Sequence, residues 1–400
     1  MANTDFLMIS FFFLTHVAIV SARNEGLGTL VYSHAIFRHG DRAPSSTYPT
    51  DSYDESYWPN GWKQLTLLGM KQAYNLGRFL RSEYVTKHRL LPETYTRKSD
   101  LYVRSSDKDR AVQTASSVLA GLYPPPTEHQ FVKGLQWYPV PVHTYMPTDK
   151  DLGLLKPTSV DCPKYEGLLA EASKPVIKHY NDLYQSFFDY VKTNSGMKHV
   201  DFENIDDIYT AAYREDIHKL AQPEWLERPW NNTAPNKTLD QVVLFSWAHD
   251  LFKNEFPGAA KLMSVSAFKT PICRCQAICS MIFSSTCQVK RQGLPKQIRH
   301  LFGSCGHLDS IAGQPLVKLT KPPSYTSTLL IDLYQQTDSD RIIIVFSSAN
   351  TVLQQSTMVR SEDFVDALKD RVYKTKDERE RACSDEIVSN TAGFVLVVGW

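Results

Sequence analysis

The apolar run Thr29–Phe37, TLVYSHAIF, leads without a spacer into Arg38-His39-Gly40-Asp41-Arg42-Ala43-Pro44. Its β-branched and aromatic residues predict a buried strand. A buried strand that ends in this way must set Arg38, His39 and Arg42 on a loop at the sheet edge. Two guanidiniums brought close repel each other unless an anion lies between them. Gly40 lets the backbone turn closely beneath such an anion, and Pro44 stiffens the exit. After a loop rich in Pro, Ser, Asp and Gly comes LTLLGMKQAYNLGRFLRSEY, with Leu65, Leu68, Ala73, Leu76, Phe79 and Leu80 near helical spacing. That spacing predicts an amphipathic helix.

A second junction repeats the order. In DLYVRSSDKDRAVQTASSVLAGLYPPP a short strand reaches Arg104, and the helix that follows is stopped by three prolines. Strands alternating with helices predict an α/β fold with a central, mostly parallel sheet flanked by helices. In such sheets ligands bind beyond the carboxyl ends of strands. Arg38, His39, Arg42 and Arg104 are all expected there. Residues 145–235 are mainly helical and polar and are expected to form an inserted helical cap. The α/β domain is then discontinuous, over 23–144 and 236–385. YTSTLLIDLYQQ and DRIIIVFSS predict a late antiparallel strand pair, and SEDFVDALKDRVYK a closing helix. His34 is expected in the core of the first strand, Trp58 and Trp62 in packing, and His143 near the cap.

The formal net charge is +1, from 44 Lys and Arg against 43 Asp and Glu, so any anion site is local and nucleic acid is excluded as a general partner. The apolar stretch 6–22 ends in Val20-Ser21-Ala22 and predicts a signal peptide over 1–22. It points to the secretory pathway, extracellular or lysosomal. The sequons at Asn231 and Asn236 agree with that compartment. The apolar tail 386–400 is too short to cross a bilayer. Of seven cysteines, Cys273, Cys275, Cys279, Cys287 and Cys305 crowd into one segment without the spacing of a zinc site, and no metal or other cofactor is expected.

A phosphate monoester is the anion that fits this loop. Its phosphoryl oxygens suit the paired N–H groups of guanidiniums. A neutral imidazole facing the phosphorus is a competent nucleophile. In this reading Arg38, Arg42 and Arg104 bind phosphate, His39 attacks it, and Asp41 braces an arginine.

Together RHGDRAP, WPNGWKQLTLLGMKQAYNLGRFLRSEY, VRSSDKDRAVQTA and WYPVPVHT resemble the histidine acid phosphatases, closest to the secreted, lysosomal and prostatic-type branch. The resemblance runs over 30–260 and resumes over 321–385. It implies an α/β fold with a helical cap and hydrolysis of small phosphomonoesters in acid. By the same resemblance His39 is the phosphorylated nucleophile, Cys162 pairs with Cys383 in a disulfide, and the protein is a homodimer. Two further bridges of the family are missing as pairs, with Arg214 and Thr328 at the positions of one of them.

The family's second half-site is a strand ending in Ser-Ala-His-Asp, whose His binds phosphate and whose Asp protonates the leaving oxygen. Two stretches compete for it. VVLFSWAHD offers His249 and Asp250, yet Leu239, Val242, Val243, Ser246 and Asp250 share one helical face. SCGHLDSIAG offers His307, with Leu308 at the donor position and Asp309 one residue late. The surrounding segment 268–314 looks foreign to the fold. The expected function is therefore an acid phosphatase with its proton-donor step in question. The alternatives are a non-catalytic secreted binder of phosphate esters and an inositol-phosphate phosphatase. The last would need a wider basic pocket, and no extra Lys or Arg cluster is evident near the loop.

Overall fold

A computed structural model describes residues 27–96, 101–144, 162–232, 234, 236–255, 285–290, 324–337, 341–349, 356–360 and 381. Strand β1 (Thr29–Phe37), helix α1 (Leu67–Leu80), strand β2 (Leu101–Ser105) and helix α2 (Asp109–Leu122) follow one another as the two junctions predict. The sheet continues with β3 (Ser285–Lys290), β4 (Thr328–Gln335), β5 (Ile342–Ala349) and β6 (Ser356–Arg360), in the order β2-β3-β1-β4-β5-β6.

Every strand pair in this described sheet is antiparallel, which corrects the expectation of a mostly parallel one. The reason lies in β3, which is antiparallel to both β1 and β2. β1 and β2 therefore run in the same direction, as a strand–helix–strand crossover requires, but a strand from the segment 268–314 occupies the gap between them. Phe37 and Ser105 both pair with Ser285, so the ends of β1 and β2 lie at the same edge of the sheet. On the other side, β4 and β5 form the predicted antiparallel pair, with Thr328 opposite Ala349.

The face that α1 turns to the core is not quite the one its leucines suggest. Gly69, Ala73, Leu76, Gly77 and Leu80 are buried, whereas Leu68 and Phe79 are exposed. Close backbone approach accounts for this. A Cβ on Gly77 would stand 2.0 Å from the Val118 carbonyl oxygen, and one on Gly121 would stand 2.2 Å from that of Tyr74. α1 and α2 thus meet along glycines, and the core of Leu30, Ile36, Leu76, Val118, Leu122 and Ile331 closes around them. Each such side chain contributes about 1.5–3 kcal/mol by leaving water.

A helical layer follows: α3 (Pro163–Leu183), α4 (Gln185–Ser195), α5 (Asp206–Ile217), α6 (Glu224–Glu227) and α7 (Thr238–Glu255). Pro163 opens α3, where its missing N–H costs nothing. Gly196, at φ 72°, ends α4 in the left-handed conformation. Phe187, Phe188, Phe202, Ile208, Leu226, Val242 and Phe245 form the core of this layer, so α7 packs within it. Cys162 is buried at the start of α3, while Cys383 lies outside the described residues. Asn231 is partly exposed and Asn236 exposed, just before α7. Among the described residues no helix is long and apolar enough to cross a membrane.

Glu215 on α5 is fully buried, and burial together with the nearby Asp51 carboxylate raises it to about 8. Burial raises Asp332 on β4 to about 6, although it accepts a 2.8 Å hydrogen bond from the Tyr84 hydroxyl. A carboxyl raised in the folded state holds its proton there after the unfolded chain has lost it. Its stabilisation is complete below the unfolded value and is lost as pH rises through the folded one. Buried His34, lowered to about 4, acts in the opposite sense, losing stabilisation as pH falls below the ordinary histidine range. Above about pH 7 histidine is mostly neutral in both states, which leaves Glu215 in control. Stability to urea is expected to fall between about pH 7 and 8 by up to ~1.4 kcal/mol per pH unit, the limit for one proton. Glu215→Gln is expected to flatten that slope; identical slopes for the two proteins would refute the assignment.

Candidate functional site

Arg38 and His39 leave β1 and are stitched at once to the turn that precedes β4. The Arg38 N–H donates to the Ser327 carbonyl at 3.0 Å, and the Thr326 N–H donates to the His39 carbonyl at 3.2 Å. Thr326 sits at φ 56°, an uncommon conformation for a β-branched residue. This turn carries Tyr325 beneath the site. The Arg38 guanidinium lies 4.9 Å from the Tyr325 ring centre, and the His39 ring 5.9 Å from it.

The His39 side chain is fixed by its own loop. Nδ1 is 2.7 Å from the Gly40 carbonyl oxygen. A carbonyl oxygen only accepts, so Nδ1 carries the proton and Nε2 keeps its lone pair. Burial, and then the positive fields of Arg38, Arg110 and Arg42, hold the imidazole well below its ordinary range, against the opposing effect of the Gly40 bond. The ring therefore stays neutral in mild acid. This is the state in which it can attack an electrophile.

The loop is held in place by contacts that only glycine allows. A Cβ on Gly40 would stand 2.3 Å from the Gly69 carbonyl oxygen, and one on Gly69 would stand 2.1 Å from the Asp41 carbonyl oxygen. The Gly40 N–H donates to Thr114 Oγ1 at 3.2 Å, and the Asp41 N–H to Gln72 Oε1 at 2.8 Å. Asp41 is fully buried. It does not brace an arginine as expected. Its Oδ2 accepts from Thr66 Oγ1 at 2.6 Å and meets His218 Nε2 at 2.6 Å. Thr66 in turn caps α1 by accepting from the Gly69 N–H. The carboxylate thereby ties the loop to α1 and to the end of α5, which is work its short side chain can do only facing inward.

Arg42 donates from Nη1 to the Ala43 carbonyl at 2.7 Å. Burial lowers its guanidinium to about 9, with Arg214, Arg110 and Arg38 adding to the effect, and it stays charged in neutral and acid solution. Arg104 is buried inside β2 and does not follow it. Both Arg104 and Ile36 pair with Thr286, so Arg104 stands level with the end of β1, about 10 Å away by two strand spacings.

Two further arginines reach the site that the sequence did not assign to it, Arg110 and Arg214. Arg110, in the first turn of α2, belongs to the same VRSSDKDR stretch as Arg104 and was legible there as a second guanidinium. Arg214 on α5 carries no local signal. It is more than 170 positions from the loop, and only packing brings α5 against it. These two supply the extra basic groups that the sequence did not reveal. Tyr325, Thr210 and His218 join the site in the same way.

The other expected residues fall into place as follows. His34 is fully buried in β1, and Trp58 is buried with its ring 5.1 Å from that of His218. Trp62 is half-buried. His143 extends the edge of β2, accepting from the Ser105 N–H at 2.9 Å, and stacks on Tyr102 at 5.0 Å. His249 and Asp250 lie on α7: the His249 ring packs 5.3 Å from Phe202, and Asp250 is exposed. His307, Asp309, the leader 1–22 and the tail 386–400 lie outside the described residues.

The chain is similar to known proteins in both sequence and fold. Residues 29–224 match the histidine phosphatase superfamily (branch 2). The chain is 37% identical over 229 residues to lysosomal acid phosphatase of Rattus norvegicus, covering 57% of this chain and 50% of the relative. It is 38% identical over 193 residues to prostatic acid phosphatase of Mus musculus, covering 48% and 49%. The chain thus spans about half the length of the curated relatives it matches. In fold it is similar to the phytase from Citrobacter braakii, with a TM-score of 0.52, 15% identity, and 88% of this chain and 98% of that one covered.

Proposed function

Starting from a chain whose residues 29–224 belong to the histidine phosphatase superfamily (branch 2), we propose that it hydrolyses phosphate monoesters through a phosphohistidine on His39. The observation that carries this reading is the Nδ1–Gly40 bond, which leaves Nε2 with a lone pair within the field of Arg38, Arg110 and Arg42. Arg38, Arg42 and Arg104 hold the phosphoryl oxygens and offset charge that persists through the transfer. Nε2 attacks phosphorus in line, the N–P bond forms as the ester P–O bond breaks, and the leaving oxygen takes a proton. Water then attacks phosphorus, the N–P bond breaks, and inorganic phosphate departs with Nε2 free again. The acid relatives, the apolar stretch 6–22 and the exposed Asn236 support a glycosylated protein of the secretory pathway or lysosome.

The proton donor is the weak member. Asp250 is exposed on a helix of the second core, which assigns the role in this reading to Asp309, with His307 on the phosphate. Leu308 stands between them, so the donor is displaced by one residue and the acid step is slowed. General-acid catalysis contributes about 10²–10⁴ in rate, and alkyl esters need it far more than aryl esters. Quenching the protein against an aryl phosphate is expected to leave acid-labile, base-stable phosphate on His39, and aryl esters are expected to outrun alkyl esters by about 10² or more. Absence of the labelled histidine would sink the hydrolase reading. Equal rates on both ester classes would sink the displaced donor.

A further inference from the structure

The guanidiniums at this site outnumber what one phosphoryl group needs. A phosphoryl group in transfer carries about two negative charges. Arg38, Arg42 and Arg110 surround His39, and Arg214 adds its charge beside Arg42 and Arg110. Among the described residues, none of Arg42, Arg110 and Arg214 forms an ion pair with a carboxylate. Buried charge without a partner is costly, and a site retains it where an anion arrives.

Arg214 is the most informative of these. It is only 3% exposed. Its Nη1 donates to the Thr210 carbonyl at 2.7 Å and to Thr210 Oγ1 at 3.3 Å, while Nε is buried with no partner. Its neighbour Glu215 does not neutralise it, because that side chain turns toward Asp51 and Gln222. The direction of Arg214 follows from the helix. Thr210, Arg214 and His218 recur at intervals of four residues and so share one face. At one end Thr210 Oγ1 accepts from the Ser45 N–H at 3.3 Å; at the other His218 meets Asp41 at 2.6 Å. The loop from Asp41 to Ser45 therefore lies along this face, and Arg214, midway between the two contacts, stands opposite Arg42.

We propose that Arg214, together with Arg110, forms a second anion subsite beside the reaction centre, which selects monoesters carrying another phosphate or carboxylate near the scissile group. This inference rests on the hydrolase reading. It makes Arg214 and Arg110 specificity-determining residues. The fork of Arg214 suits a planar carboxylate or two phosphate oxygens, and its pinned Nη1 orders it before the ligand arrives.

The test uses the full chain and two esters of matched leaving ability, a plain aryl phosphate and its carboxylate-bearing analogue, each with a quench for phosphate on His39. The unaltered protein is expected to favour the carboxylate-bearing ester in kcat/KM by at least about tenfold at low salt, and to lose most of that preference at about 1 M salt. Arg214→Gln is expected to lower kcat/KM for that ester at least about tenfold more than for the plain one, mainly through KM, with Arg110→Gln acting in the same direction. Normal phosphorylation of His39 with no preference in the unaltered protein would overturn the second subsite, and this arm requires no variant to fold. Equal losses on both esters in Arg214→Gln would overturn it too. If neither ester labels His39, the hydrolase reading fails and the inference falls with it.

Discussion

Replacing His39 with Ala is expected to cut turnover of an aryl phosphate by about 10⁴-fold or more, the scale on which enzymes lose rate when a covalent nucleophile is deleted. The argument is geometric and electrostatic together. Nδ1 is committed to the Gly40 carbonyl, so the reacting nitrogen is Nε2, and no other side chain of the loop offers an uncharged nitrogen lone pair. Burial, and then the positive fields of Arg38, Arg110 and Arg42, disfavour the charged ring, so its lone pair is retained where an unperturbed histidine would be protonated. Arg38, Arg42 and Arg104 remain in the variant. Phosphate should still protect the protein against thermal unfolding while turnover disappears. The cost to stability should be small, about 1 kcal/mol, from the lost local hydrogen bond. A variant that keeps a tenth of the activity would show that chemistry does not pass through this ring.

Gly69→Ala is expected to be the most damaging single methyl in the described structure near the loop. The added carbon would lie 2.1 Å from the Asp41 carbonyl oxygen, 2.7 Å from the Asp41 nitrogen and 2.8 Å from Leu65 Cδ1. Two of these three atoms belong to the backbone and cannot rotate away. Either α1 must withdraw, which breaks the Thr66 cap and the Thr66–Asp41 bond, or the Arg38–Pro44 loop must move off its seat. We expect a loss of about 3 kcal/mol or more, at the upper end for overpacking because both sides of the clash are main chain. Activity should fall with stability, since the displaced loop carries His39. Urea unfolding and turnover, measured on the same preparation, check both parts. A variant within about 0.5 kcal/mol of the parent and fully active would show that this contact is looser than drawn.

Some of this was legible from residues alone because it depends on local pattern. The run TLVYSHAIF had to be a buried strand and LLGMKQAYNLGRFL a helix, with RHGDRAP on the loop between them, since apolar periodicity acts over a few residues. The helical character of VVLFSWAHDLF was legible for the same reason, and α7 bears it out. What periodicity misplaced was the buried face of α1, because close approach of two backbones favours glycines that no hydrophobic count registers.

The amino-acid order by itself determined the Arg38–Pro44 loop after β1, the two strand–loop–helix units and which side chains are chemically suited to phosphate. Tertiary structure alone decided three other things: that β3 runs antiparallel between β1 and β2, that Asp41 answers to Thr66 and His218 and braces no arginine, and that Arg214 faces Arg42. The physical reason is range. Strand and helix preferences are set by neighbours a few positions apart, whereas the meeting of charges from positions 42, 110 and 214 depends on how separately formed elements bury their apolar faces against one another.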